Sequence, residues 1–159
     1  MAAVIGFVTI VLVIFFGDLH LKNRVEKYIP ARGTGKCEQN LLGGKLILRR
    51  HHNRGMILNT GEGKQSLVAV LSLVLTAVLT VVFVISLGHR GNNLLRTGLA
   101  LLLGGAFSNT YDRLKRKYVV DYLSFGVKWG RLRQVVFNIS DFCIIIGALA
   151  AALACTRGA

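Results

Sequence analysis

The chain has only seven acidic residues, and four of them, Asp18, Asp112, Asp121 and Asp141, sit at the ends of apolar stretches or inside an apolar run. An aspartate held in a bilayer costs about 2.5–3.5 kcal/mol on insertion scales, so each of these marks a candidate site. The four fall at one end of the apolar segments, and Asn53, Asn109 and Asn138 fall there with them. Two carboxylates in a low-dielectric site cannot both ionise cheaply; they share a proton, one acting as acid and the other as base. That arrangement suits peptide hydrolysis. The ionised Asp takes a proton from water while its neutral partner hydrogen-bonds the scissile carbonyl. The same residues would also serve as helix caps and interhelical hydrogen bonds.

Other chemistries lack their residues. The chain contains no H-E-x-x-H, the spacing a helical zinc protease needs, and no G-x-S-x-G serine elbow. His51 and His52 are adjacent, so in a strand they point apart and lack ligand spacing, while His20 and His89 read as interfacial residues. No metal or cofactor is expected. Gly104-Gly105-Ala106 and the pair Gly147 and Ala151 read as faces where helices pack closely.

Positioning such a site falls to elements that cannot belong to a water-soluble globule. The 159 residues are 53% hydrophobic and only 17% charged, with a mean hydropathy of +0.55; soluble domains are about a quarter charged. Four apolar stretches, at about 2–17, 66–87, 94–111 and 135–155, predict four spans in a single membrane domain covering residues 1–159. The first opens from Met1 with no basic segment before it and is followed by Asp18 and Lys22 rather than a cleavage site, so it reads as a retained helix. In the fourth, Asp141 falls about six residues inside the span, roughly 9 Å at ~1.5 Å per residue. Loops 19–65 and 114–134 complete the chain. Lys45 to Arg49 alternates as a strand does, and 119–128 reads as an amphipathic segment. Cys143 and Cys155 share one predicted helix and Cys37 lies in a loop, so no disulfide framework is indicated.

Net charge is +13, from 20 Lys+Arg against 7 Asp+Glu. No nucleic-acid reader motif accompanies it, so anionic lipid headgroups are the expected partner and nucleic acid is not. Ten of the basic residues lie in loop 19–65 and seven in 113–133, against one in the tail. The positive-inside rule places those two loops in the cytoplasm.

The motifs together resemble lipoprotein signal peptidase (signal peptidase II), a bacterial aspartic intramembrane enzyme. Gly104-Gly105-Ala106-Phe107-Ser108-Asn109-Thr110-Tyr111-Asp112-Arg113 is similar to the family's G-G-A-x-G-N-x-x-D-R. Val119-Val120-Asp121-Tyr122 resembles V-V-D-F, and Phe137-Asn138-Ile139-Ser140-Asp141 resembles F-N-x-A-D. Asp18-Leu19-His20-Leu21-Lys22 resembles D-Q-x-x-K, and Asn53-Arg54-Gly55 resembles N-x-G. All five blocks occur in family order, over essentially the whole chain.

The resemblance implies an all-α membrane protein, a four-transmembrane-helix bundle with a small β-like platform outside the membrane. It implies Asp121 and Asp141 as the catalytic dyad, with Asn53, Gly55, Asn109, Arg113 and Asn138 lining the substrate site and Asp18 and Lys22 supporting it. The residues themselves favour Asp121 over Asp112. Asp112 stands beside Arg113 and near Lys115, which would hold it ionised and structural, whereas Val119, Val120, Tyr122 and Leu123 flank Asp121. The implied activity is removal of the signal peptide from diacylglyceryl-modified prolipoproteins, cut before the lipidated Cys. The implied location is the bacterial cytoplasmic (inner) membrane, multi-pass, with the site towards the outer face and against the charge count; a monomer is expected. Departures are Ser108 for Gly, Ser140 for Ala, Leu19 for Gln, and Met56-Ile57-Leu58 for Ala-Ala-aromatic. Ser140 precedes Asp141 and Ser108 precedes Asn109, so each hydroxyl stands within reach of the site, and Ser140 would act there either by donating to Asp141 or by bulk alone. The departures keep a second reading open: a non-catalytic or weakly active paralogue that binds lipid or lipoprotein.

Overall fold

A computed structural model describes residues 2–30, 38–55, 64–88, 92–127 and 135–157. Cys37, Met56-Ile57-Leu58 and His89 lie outside the described residues. Four helices carry the bulk of the chain: α1 (Ala2–Tyr28), α2 (Gln65–Gly88), α3 (Asn93–Arg116) and α4 (Ile139–Arg157). Three strands, β1 (Glu38–Leu41), β2 (Leu46–Asn53) and β3 (Val119–Phe125), form an antiparallel sheet in the order β1-β2-β3.

Among the described residues, α1, α2 and α4 are long and apolar enough to cross a membrane. The 24 residues of α2 rise about 36 Å, enough for a hydrocarbon core of about 30 Å. Helix α3 is equally long but carries Arg96, Asn109, Asp112 and Arg113. It tolerates them because α3 packs against α1, α2 and α4, so much of its surface meets protein.

Glycines permit that central position. A Cβ on Gly105 would stand 2.6 Å from the carbonyl oxygen of Ser140 in α4, and one on Gly104 would stand 2.9 Å from Ile14 Cβ in α1. Gly98 and Gly147 face each other across α3 and α4, where a Cβ on Gly98 would stand 2.7 Å from the backbone nitrogen of Ala151. Both small-residue stretches therefore act as the close-packing faces expected of them.

Four elements differ from expectation, α3 among them, which runs on to Arg116 rather than ending at residue 111. Helix α1 does not stop at residue 17 but continues to Tyr28. Asp18 and Lys22 end the apolar run without ending the helix, because both are buried against protein. The fourth helix begins at Ile139 rather than 135, since Phe137 is occupied by backbone bonds to β3: its N–H donates to Leu123 O at 2.6 Å, and its carbonyl accepts from Tyr122 and Leu123 at 2.8 and 2.7 Å. Asp141 consequently lies in the first turn of its helix, not deep within it. The expected amphipathic segment at 119–128 contains β3, which pairs with β2 from Leu46↔Phe125 to Asn53↔Val119. The two long connections thereby form one sheet. The β1–β2 turn passes through Gly43 and Gly44 at φ +66° and +86°, a region glycine enters freely. Helix α3 ends at Lys117 in the left-handed conformation.

Candidate active site

The bridge between Leu123 and Phe137 sets the site. It delivers Asn138, the residue before α4, against Asp121 on β3. The Asn138 side-chain amide donates to Asp121 Oδ1 at 2.7 Å, and its backbone N–H donates to Asp141 Oδ2 at 2.9 Å. In return Asp141 N–H donates to Asn138 Oδ1 at 2.9 Å. This is a reciprocal capping box at the head of α4, with one end shared by a second carboxylate.

Each carboxylate has a further amide donor. Asn53 Nδ2, at the end of β2, donates to Asp121 Oδ2 at 3.1 Å. Asn109 Nδ2, on α3, donates to Asp141 Oδ1 at 3.0 Å. Burial, and after it the charge of Asp141, pushes the Asp121 carboxyl up to about 7, against the opposing pull of the Asn138 and Asn53 hydrogen bonds. Asp121 therefore holds a proton over a wide range in which an ordinary carboxyl has lost it.

Both aspartates open onto a cavity of about 450 Å³ between α2, α3 and α4, with Asn53, Asn109 and Arg113 at its polar end. Leu75, Leu79, Leu102, Ile144 and Phe137 supply much of its apolar wall. Arg113 reaches the carbonyls of Asn109 and Gly55 at 3.4 and 3.5 Å, while its buried Nε has no partner among the described residues. Asn138 and Gly55 do not line this cavity. Asn138 lies fully buried behind the carboxylates, and Gly55 N–H donates to Asn53 Oδ1 at 3.1 Å, fixing that amide's orientation.

A second cluster of buried charge lies beneath the first. Lys22, inaccessible to solvent, pairs with Asp18 at 2.9 Å and Asp112 at 3.3 Å. It also donates to Asn109 Oδ1 at 2.8 Å and Ser108 Oγ at 2.9 Å. The lysine thus fixes the amide that contacts Asp141. Asp18 accepts from Ser108 at 2.7 Å, Ser140 at 2.5 Å and Tyr122 at 2.7 Å. Burial and the neighbouring Asp18 raise the Tyr122 pKa, so its hydroxyl remains a donor.

Two expectations are corrected here. Ser140 contacts Asp18 rather than Asp141, because successive helical side chains diverge by about 100°. For the same reason Asp112 is partnered not by its neighbour Arg113 but by Lys22 and by Arg116, one turn on, at 3.2 Å. The sequence reading gave the Tyr122 hydroxyl no role, and it missed a hydroxyl stripe on α2. Ser72, Thr76 and Thr80 recur every four residues, and Thr76 meets Thr110 of α3 at 2.8 Å on the cavity wall. That four-residue spacing inside an uncharged span is the signal that could have found them.

The fold and the sequence both have known counterparts. Two solved structures of bacterial membrane enzymes, obtained by the in meso method at 2.3 and 1.9 Å, are similar in fold. The first matches with a TM-score of 0.79 over 96% of this chain and 88% of that one. The second gives 0.75 over 94% and 91%, and sequence identity is 19% in each case. A lipoprotein signal peptidase of Nitratidesulfovibrio vulgaris is 35% identical over 97% of this chain and 89% of its own length. Another, from Caldicellulosiruptor bescii, is 33% identical over 88% and 83%. The family description "Signal peptidase (SPase) II" matches residues 10–157, a stretch that holds all five motif blocks with Asp121 and Asp141 among them, and the chain belongs to that family.

Proposed function

We propose that this protein is an intramembrane aspartic endopeptidase that removes the signal peptide from diacylglyceryl-modified prolipoproteins, cutting before the lipidated Cys. The observation that carries the reading is a pair of carboxylates, buried Asp121 and partly buried Asp141, tied to one residue, Asn138, at the polar end of an apolar cavity. Ionised Asp141 takes a proton from water, and the resulting hydroxide attacks the scissile carbonyl carbon while protonated Asp121 donates to the carbonyl oxygen. Collapse of the tetrahedral intermediate breaks the C–N bond, the amine leaving with the proton held by Asp141 and Asp121 recovering its own. The free donors of Arg113 suit a substrate backbone carbonyl, and the apolar wall suits signal-peptide side chains and acyl tails.

The multi-pass chain sits in the bacterial inner membrane as a monomer, all four helices crossing and the sheet facing outward. Basic residues on that side meet anionic headgroups. The family's use of the outer face outweighs the charge count. Ser140 and Ser108 serve Asp18, so they give the non-catalytic reading no support. The test is incubation of the purified protein with a diacylglyceryl-modified prolipoprotein, read as a gel shift; no shift with the wild-type chain and a competent substrate sinks the proposal.

A further inference from the structure

Asn53 is the last residue of β2, and strand ends fray unless something holds them. Two residues on the opposite face of that end are tied down by a single carboxylate from α1. Glu26 Oε1 lies 2.7 Å from His52 Nε2, its Oε2 lies 3.5 Å from Arg50, and its backbone carbonyl accepts from Arg50 at 2.9 Å. The His52 ring is also stacked on Tyr118 with centroids 4.0 Å apart and planes 24° apart. Tyr118 adjoins Val119, the register partner of Asn53. Neighbouring side chains in a strand point to opposite faces, so drawing His52 towards α1 turns Asn53 towards Asp121. The pairing is irregular between Leu48 and His51, and a one-residue shift of register exchanges the two faces. The clamp therefore acts where the strand's phase is set.

We infer that Glu26 is a positioning residue for the dyad: by holding His52 and Arg50 it presents the Asn53 amide to Asp121, although Glu26 lines neither the cavity nor the carboxylate pair. The inference rests on the dyad reading above. No family motif block contains Glu26 or His52.

Asp121 is faced by Lys22 from α1, Asp141 from α4 and Arg113 from α3; on β2 its register partner is His51. Glu26 is faced by Arg50 and His52 from β2, with Tyr118 beyond. Glu26→Ala removes none of the groups facing Asp121. Loss of the Asn53 hydrogen bond removes a donor to the ionised form of Asp121, so the alkaline limb of the pH–rate profile should move upward. The expected result for Glu26→Ala is a fall in kcat of about five-fold, the worth of one ordinary hydrogen bond, with KM little changed and the same limb displaced as in Asn53→Ala. Glu26→Gln, which keeps an acceptor for His52, should retain most of the activity. The double variant Glu26→Ala/Asn53→Ala should be no worse than Asn53→Ala alone. If Glu26→Ala does not fold, His52→Phe keeps the stack on Tyr118 without the hydrogen bond and should behave the same way. A wild-type rate and profile, or multiplying effects in the double variant, overturns the inference. Asp121→Asn is assayed beside them: if it keeps wild-type turnover, the dyad reading fails and the inference with it. An inactive Asp121→Asn with multiplying effects overturns the inference alone.

Discussion

Ser140 donates its hydroxyl to Asp18 at 2.5 Å across the α1–α4 contact, although Asp141 is its immediate neighbour in the chain. A residue that stands beside the proposed dyad in sequence therefore belongs to the charge cluster beneath it. Asp18 Oδ2 also accepts from Ser108 and pairs with Lys22, so removing one hydroxyl leaves the oxygen partnered. Ser140→Ala should cost about 1 kcal/mol of stability and leave the pH–rate profile in place. A displaced profile would return Ser140 to the proposed dyad.

The dyad makes a sharper claim. Asp121→Asn and Asp141→Asn should each abolish cleavage of a lipidated prolipoprotein while leaving the chain in the membrane fraction. Neither amide can exchange a proton with water at neutral pH as a carboxyl does. Near-normal turnover in either variant removes that residue from the mechanism.

Stability against pH follows from Asp121 with a definite sign. Its folded-state pKa of about 7 lies above the ordinary 3.8, so the folded state binds the proton more tightly. Its contribution to stability is complete at low pH and is lost as pH rises from about 4 to about 7. A shift of about three pKa units corresponds to roughly 4 kcal/mol. Asp121→Asn removes this dependence and should be the more stable protein at pH 8 while being inactive. Thermal unfolding in detergent at pH 5 and pH 8 measures it; equal losses in wild type and variant would show that Asp121 carries no such penalty.

How far the sequence could be read depended on the range of each interaction. Apolar runs located α2 and most of α1, α3 and α4, because lipid imposes composition directly on a span. The run could not show that α1 continues past Asp18 and Lys22, since polarity ends a lipid-facing surface but not a helix buried in protein. Motif spacing singled out Asp121, Asn138 and Asp141. It could not show that Asn138 caps α4 and donates to Asp121 at once, because that depends on the Leu123–Phe137 bridge. The pairing of β2 with β3 joins segments about 70 residues apart; without it, 119–125 reads as an isolated amphipathic segment. Partner choices failed at sequence neighbours: Arg113 stands beside Asp112, but Arg116 one turn later reaches it.

The helix contact that brings Asp141 to Asn109 depends on Gly105. A Cβ there would lie 2.6 Å from Ser140 O and 2.9 Å from Ile144 Cγ1. The first neighbour is backbone, so α4 itself must move. Gly105→Ala should lower stability by about 1–3 kcal/mol, the usual cost of overpacking, and reduce activity beyond the loss of folded protein by lengthening the Asn109–Asp141 hydrogen bond of 3.0 Å. Specific activity of the folded fraction checks this. Full specific activity would show that the α3–α4 spacing is not what aligns the site.

Membrane orientation sets charge count against family. The charge count places the long loops inside, and the proposed function requires the sheet and dyad outside. Leu42, in the β1–β2 turn, is 72% exposed, and Cys155 is exposed near the far end of α4, about 21 Å beyond Asp141 at ~1.5 Å per residue. Two chains separate the cases: one with Leu42→Cys and all three native cysteines changed to Ser, the other keeping Cys155 alone. A membrane-impermeant maleimide added to spheroplasts should label the first and spare the second until the membrane is opened. The reverse pattern would place the carboxylates on the cytoplasmic side, where exported prolipoproteins are not cut, and the proposed activity would fall with it.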